Sequence, residues 1–125
     1  MELGDRTMDV LPKADEAIIP VEKFTHYALD PKNSRGKNVA FEQALGYTLD
    51  NVNLLIENIK NNLTTYPAIS KGHNGFGETY TVLMLLTGAN GKRANVLTSW
   101  IDDEETGDMR LTSAYVKKGK VDEYD

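Results

Sequence analysis

The sequence predicts an α+β domain in which about three N-terminal helices pack on a C-terminal antiparallel β-meander. Three observations predict it. Apolar residues recur at helical spacing as far as Leu63 and alternate beyond Pro67, so the period changes from about 3.6 to about 2 residues. The helical and extended stretches come in two separate runs, which disfavours a parallel α/β sheet. Asn90-Gly91 lies between two runs rich in Val, Leu and Thr, the signature of a tight hairpin.

In chain order, residues 1–11 have no periodicity and read as a tail, and residues 12–117 read as a single domain. Ala17, Ile18 and Ile19 suit a short strand. Pro20 fits the first turn of a helix, and Val21, Phe24, Ala28 and Leu29 then share one helical face. Asp30-Pro31 ends that helix, because the residue before proline avoids the α region. After a polar loop, Lys32 to Lys37, a second helix is expected from Val39 to Leu45, with Val39, Phe41, Ala44 and Leu45 inward and Gly46 beyond its end. The third helix is the clearest. Thr48 or Asp50 caps it, and Val52, Leu55, Ile56, Ile59 and Leu63 form its buried stripe.

Lys71 to Gly77 contains three glycines and reads as a loop. Strands are expected over Glu78 to Thr87, Arg93 to Ile101 and Met109 to Val116. A type I′ turn at Asn90-Gly91 joins the first two, and an acidic turn, Asp102 to Asp108, joins the last two. Asp102, Glu104 and Thr106 have a faint calcium-loop spacing, but the twelfth position is Ser113 rather than a glutamate, so the stretch reads as a solvated turn. Residues 118–125 read as a polar tail.

Composition excludes several classes of function. The chain has 125 residues and no cysteine, which removes disulfides, thiol catalysis and Cys-ligated zinc or iron–sulfur clusters. No metal site and no cofactor are expected. No apolar run is long enough for a signal peptide or a membrane span, so a cytoplasmic site of action without a membrane partner is expected. The net charge of −5 disfavours a protein that coats nucleic acid, although it leaves room for a local basic pocket.

Four stretches carry a likeness to a known family. They are Leu11 to Phe24, Ala44-Leu45-Gly46-Tyr47-Thr48, Thr87 to Lys92, and Met109-Arg110-Leu111-Thr112-Ser113-Ala114. Together they resemble an uncharacterised bacterial and phage domain family. That family is similar to modules at the C-terminal ends of contact-dependent growth-inhibition proteins and to modules on phage minor head (MuF-type) proteins. The resemblance implies a toxin-type domain delivered as part of a larger protein. It also implies a fold like the barnase–EndoU–colicin–RelE group of metal-independent ribonucleases at the level of element order. RNA is the implied substrate, and an immunity protein or a host protein the implied partner. Two departures stand out: His26 occupies a position where the pattern suggests an acid, and the charge is more acidic than suits a free-standing ribonuclease. A degenerate relative, or a non-catalytic phage or mobile-element protein that inhibits a host protein through an acidic surface, is therefore the alternative.

Metal-independent RNA cleavage needs a base for the 2′-hydroxyl, an acid for the 5′-oxygen, and cations or donors on the phosphate. On this reasoning the catalytic candidates are Lys23, His26, Arg110 and Thr112. Lys23 and His26 are three apart on a helix, and Arg110 and Thr112 alternate onto one face of the last strand. Arg110 would stabilise the phosphorane and His26 would move the proton. The substrate-binding candidates are Lys37, His73 in the glycine-rich stretch, and Trp100, which is either a core residue or a platform for a base. The enzyme reading requires Lys23, His26 and Arg110 to meet in one cleft.

Overall fold

The computed structural model describes residues 9–117. Three helical segments precede a four-stranded antiparallel sheet. They are a π-helical turn at Phe24–Ala28, α1 at Lys37–Leu45 and α2 at Val52–Asn62. The strands are β1 (Ala68–His73), β2 (Gly77–Thr87), β3 (Arg93–Asp103) and β4 (Met109–Val116), arranged as a meander in the order β1-β2-β3-β4. The α+β class, with helices first, is as the sequence predicts.

The helices cover one face of the sheet. Alternation along the strands turns Val82, Met84 and Leu86 of β2, Val96 and Trp100 of β3, and Leu111 of β4 into the core, where each is almost fully buried. Against them sit Phe24, Phe41, Leu45, Leu55, Ile59 and Leu63. Phe24 and Phe41 meet edge to face, with centroids 6.4 Å apart, the arrangement their ring quadrupoles favour. Of the stripe expected on α2, Val52, Leu55 and Ile59 are buried, whereas Ile56 is only half-buried at its margin.

Several local expectations need correction. Leu11, placed by its sequence in a tail, is 1% exposed and part of the core. The backbone carbonyl of Asp9 also accepts from Ala68 N–H at the start of β1, so the domain extends ahead of residue 12. The tail expected at 118–125 lies outside the described residues. α1 begins at Lys37, which puts that lysine on the helix rather than in the loop before it, and leaves Val39 exposed. Gly46 does end α1 in the left-handed region (φ 77°), with Gly46 N–H on Glu42 O and Tyr47 N–H on Phe41 O. Neither Thr48 nor Asp50 is the N-cap of α2, which is Asn51; Thr48 instead caps a 3-10 turn at Leu49–Asn51 that leads into it, its hydroxyl accepting from Asp50 N–H while the Asn51 side chain accepts from Thr48 N–H in return. The expected strand at Ala17–Ile19 reduces to one parallel bridge. Ile18 N–H donates to Met109 O, and Ile18 O accepts from Leu111 N–H. Part of the outer edge of β4 is thereby covered.

The hairpin between β2 and β3 falls where Asn90-Gly91 places it, but its loop spans residues 88–92 and is not the two-residue type I′ turn. Only Gly91 has positive φ (81°). The Asn90 side chain instead accepts from Lys92 N–H, and Asn90 N–H donates to Leu45 O at the end of α1. Docking on the helix thus sets the turn. A Cβ on Gly88 would lie 2.1 Å from the Leu45 carbonyl oxygen and 2.5 Å from its Cα, and backbone cannot step aside as a flexible side chain can. Gly88→Ala is expected to destabilise the fold by at least the ~1–3 kcal/mol typical of overpacking, read as a fall in the urea midpoint at unchanged slope.

Candidate functional site

The π-helical turn decides which side chains can work together. Leu29 N–H donates to Phe24 O, a bond spanning five residues, so the turn is wider than an α turn. Residues three apart no longer stack. Lys23 and Tyr27, four apart, do: the Lys23 ammonium lies 5.6 Å from the Tyr27 ring centroid. His26 is solvent-exposed. The α-helical spacing that would set Lys23 beside His26 is absent from this turn.

Facing this turn is the middle of β4. Ser99 of β3 pairs with Ser113, and the adjacent Trp100 pairs with Leu111, which leaves Thr112 as an extra residue in a β-bulge. Bulges re-aim side chains at a strand edge, and here Thr112 and Ser113 both line a cleft. Its walls are Lys23, Tyr27, Ala28, Lys37, Thr112, Ser113 and Ala114, and its volume is about 330 Å³. Lys37 reaches in from the first residue of α1, with its ammonium 5.6 Å from the centroid of the Tyr115 ring. Beyond Lys37 the surface continues into a smaller cleft that includes Arg35, Gly36 and Tyr115. Arg35 (φ 56°) and Gly36 (φ 91°) are consecutive left-handed residues, an uncommon conformation for arginine. No acidic residue occupies the first turn of α1, so nothing there offsets the positive end of its dipole, although Lys37 and Asn38 N–H are already bonded to Ser34.

Of the sequence-derived candidates, Lys23, Lys37 and Thr112 come together. The others do not line this cleft. Arg110 carries its guanidinium 3.6 Å from Asp108 Oδ2, and its Nε is buried without a hydrogen-bond partner among the described residues. The bulge separates Arg110 from Thr112, which simple alternation had put side by side. His73 closes β1, the sheet edge opposite β4, and so lies three strand spacings of about 4.8 Å away. Its Nε2 is 2.6 Å from Glu104 Oε2, and its Nδ1 accepts from Gly75 N–H. That second bond fixes the proton of the neutral ring on Nε2, so the imidazole donates to the carboxylate. Trp100 is 1% exposed, and its Nε1–H donates to Thr98 Oγ1, which itself donates to Val82 O. A ring buried in this way cannot stack on a base, so Trp100 is a core residue.

Tyr27 and Tyr115 were not among the sequence candidates. The Lys-x-x-x-Tyr spacing at 23 and 27 is a legible signal. The Lys37–Tyr115 pair joins α1 to β4, and nothing in the sequence marks it.

The acidic turn is largely occupied by its own surroundings. Asp102 accepts from Lys13 Nζ at 2.8 Å, which, as the largest cause, raises the Lys13 pKa above its ordinary 10.5. Asp103 accepts from Glu105 and Thr106 N–H, Glu104 binds His73, and Asp108 faces Arg110. Among the described residues no three His, Cys, Asp or Glu side chains gather as a metal site, and no helix is long and apolar enough to cross a membrane.

No curated protein and no solved structure matches the chain. A family profile does match, over residues 10–118, and so takes in every element of the sheet and both walls of the cleft. The chain therefore belongs to the family described as a domain of unknown function, DUF6883.

Proposed function

We propose that the cleft beside β4 binds RNA phosphodiesters and that the chain is a toxin-type, metal-independent ribonuclease domain or a degenerate relative of one. One observation carries this reading. In a protein with 19 acidic and 14 basic side chains, the cleft is lined, among the described residues, by two lysines, a phenol and two hydroxyls, and by no carboxylate. Excess positive charge in a concave site concentrates anions there, whatever the net charge of the whole.

The roles follow from position. Lys23 and Lys37 neutralise the phosphate and the charge that grows on it as the 2′-oxygen attacks and the 5′-oxygen leaves. Thr112 and Ser113 donate from the bulge. His26 belongs to the same turn as Lys23 and Tyr27 but does not line the cleft, so its part in proton transfer is what the His26→Ala variant tests.

The test is incubation of purified protein with total tRNA and a generic single-stranded RNA, in chelator, beside Lys23→Ala, Lys37→Ala and His26→Ala. Cleavage by the parent and its loss in the lysine variants is expected. Equal cleavage by all four would indicate a contaminating nuclease. Binding without cleavage assigns the chain to the degenerate branch. The binding itself has a salt signature: each lysine replaced by alanine should lower the slope of log K against log[salt] by about 0.7, the value for one phosphate contact on a single strand. An unchanged slope would remove that lysine from the phosphate.

The alternative, a non-catalytic protein that engages a host protein, has one observation in its favour. The face of the sheet away from the helices carries an apolar groove lined by Tyr66, Pro67, Ile69, Leu83, Leu85 and Asn95, with Ile69 59% exposed. In the acidic turn Asp102, Glu104 and Asp108 already face Lys13, His73 and Arg110, which leaves less of its charge for a partner.

A further inference from the structure

We infer that the β4 cleft takes single-stranded RNA with its bases unstacked, and that Tyr27 and Tyr115 are the two platforms on which those bases lie. This rests on the phosphodiester reading above and names the form of its substrate.

The cleft is bracketed by two units of the same composition, Lys23 with Tyr27 and Lys37 with Tyr115, each with its ammonium 5.6 Å from a ring centroid. Thr112 and Ser113, at the bulge, line the same cleft as Lys23, Tyr27 and Lys37. One ammonium and one aromatic ring per unit match the two chemically distinct parts of a nucleotide, an anion and a flat π-face. Neither tyrosine belongs to the buried core. Tyr27 is 57% exposed and Tyr115 is half-buried, whereas the largest aromatic, Trp100, is kept in the core. The positive track also continues past one unit, since Lys37 belongs both to the main cleft and to the adjoining one that holds Arg35 and Tyr115. The two adjoining clefts together thus offer a strand two cations, two rings and two hydroxyls.

A duplex cannot use this arrangement. Its base faces are occupied by neighbouring bases, and double-stranded RNA offers proteins mainly its shape, its 2′-hydroxyls and its phosphates. Lysines alone would hold either form. The rings make the difference, so discrimination between single and double strands measures the tyrosines, and affinity for a polyanion without bases measures the lysines.

The experiment is a fluorescence-anisotropy titration of the whole chain, in chelator, with three probes. These are a 2′-O-methyl oligouridine eight-mer that cannot be cleaved through its 2′-oxygen, a 2′-O-methyl duplex of the same length, and inorganic polyphosphate as competitor. The single strand is expected to bind about tenfold or more tighter than the duplex. Tyr27→Leu and Tyr115→Leu should each weaken it by about tenfold, the loss of one stacked base, and leave competition by polyphosphate unchanged. Tyr27→Phe and Tyr115→Phe keep the ring and should keep the affinity, which separates stacking from any loss of fold. Equal affinity for single strand and duplex, or leucine variants that bind like the parent, overturns the inference and leaves the phosphodiester reading in place. Failure of every probe, polyphosphate included, overturns both.

Discussion

Replacing Lys23 and Lys37 together by alanine is expected to slow RNA cleavage by about 10²–10³-fold, the loss seen when one preorganised donor to a developing oxyanion is removed. Two cations are removed here, but the figure is not squared, because groups acting on one phosphate are not additive. Loss should appear mainly in kcat once RNA is saturating, since the charge on the phosphate is greatest in the transition state. Lys37 is solvent-exposed and Lys23 half-exposed, and neither belongs to the core. The melting temperature should therefore hold, which separates a site effect from a folding effect. A double variant that cleaves at the parent rate would remove the cleft from the chemistry and return attention to His26 and Arg110.

The largest stability effect is expected at Trp100. Its ring is 1% exposed in the centre of the sheet, flanked by Tyr80 of β2 and Leu111 of β4 in the pairing register. Trp100→Ala should cost about 3–5 kcal/mol, by loss of transfer free energy and the cavity left behind. It also leaves Thr98 Oγ1 without the proton that Trp100 Nε1 donates at 2.8 Å. Since a domain of this kind is stable by only about 5–15 kcal/mol, the variant should sit near the edge of folding at 37 °C. Chemical denaturation followed by far-ultraviolet circular dichroism gives the number. A loss below about 1 kcal/mol would mean that the ring is not in the core.

Much of the fold was legible because burial wrote it into the residue pattern. α2 carries Val52, Leu55 and Ile59 inward, and β2 alternates Val82, Met84 and Leu86 against the core. β1 escaped for the opposite reason. Ala68–His73 is almost wholly exposed, so no alternation betrays it. It is a strand because β2 offers it a pairing partner across Ile69↔Thr81 and Ser70↔Tyr80, and strand preference of that kind comes from context rather than composition. Its two-residue step from Ser70 to Gly72 is itself a bulge, which makes the stretch look still more like a loop.

The candidate site was half legible. Lys23, Lys37 and Thr112 were within reach because their residue types suit a phosphate. The grouping was not, because two local irregularities rearranged it. The π turn replaced His26 by Tyr27 as the neighbour of Lys23, and the β4 bulge pulled Thr112 away from Arg110 toward Ser113. Both irregularities depend on tertiary contacts that a periodic reading of a single chain assumes away.

The cleft has a consequence for the order in which the molecule becomes competent. One wall comes from Lys23 to Lys37 and the other from Thr112 to Ala114, so the site closes across nearly the full span of the domain. The meander itself needs only neighbouring strands, β1 with β2 and β2 with β3, and those pairings can form as the chain emerges. β4 comes last, and with it the bulge, Tyr115, and the bridge to Ile18. A chain halted between β3 and β4 would hold three of the four strands, yet would lack one whole wall of the cleft. Assembly of the fold and arming of the site are thus separate events, and the second waits for the final strand.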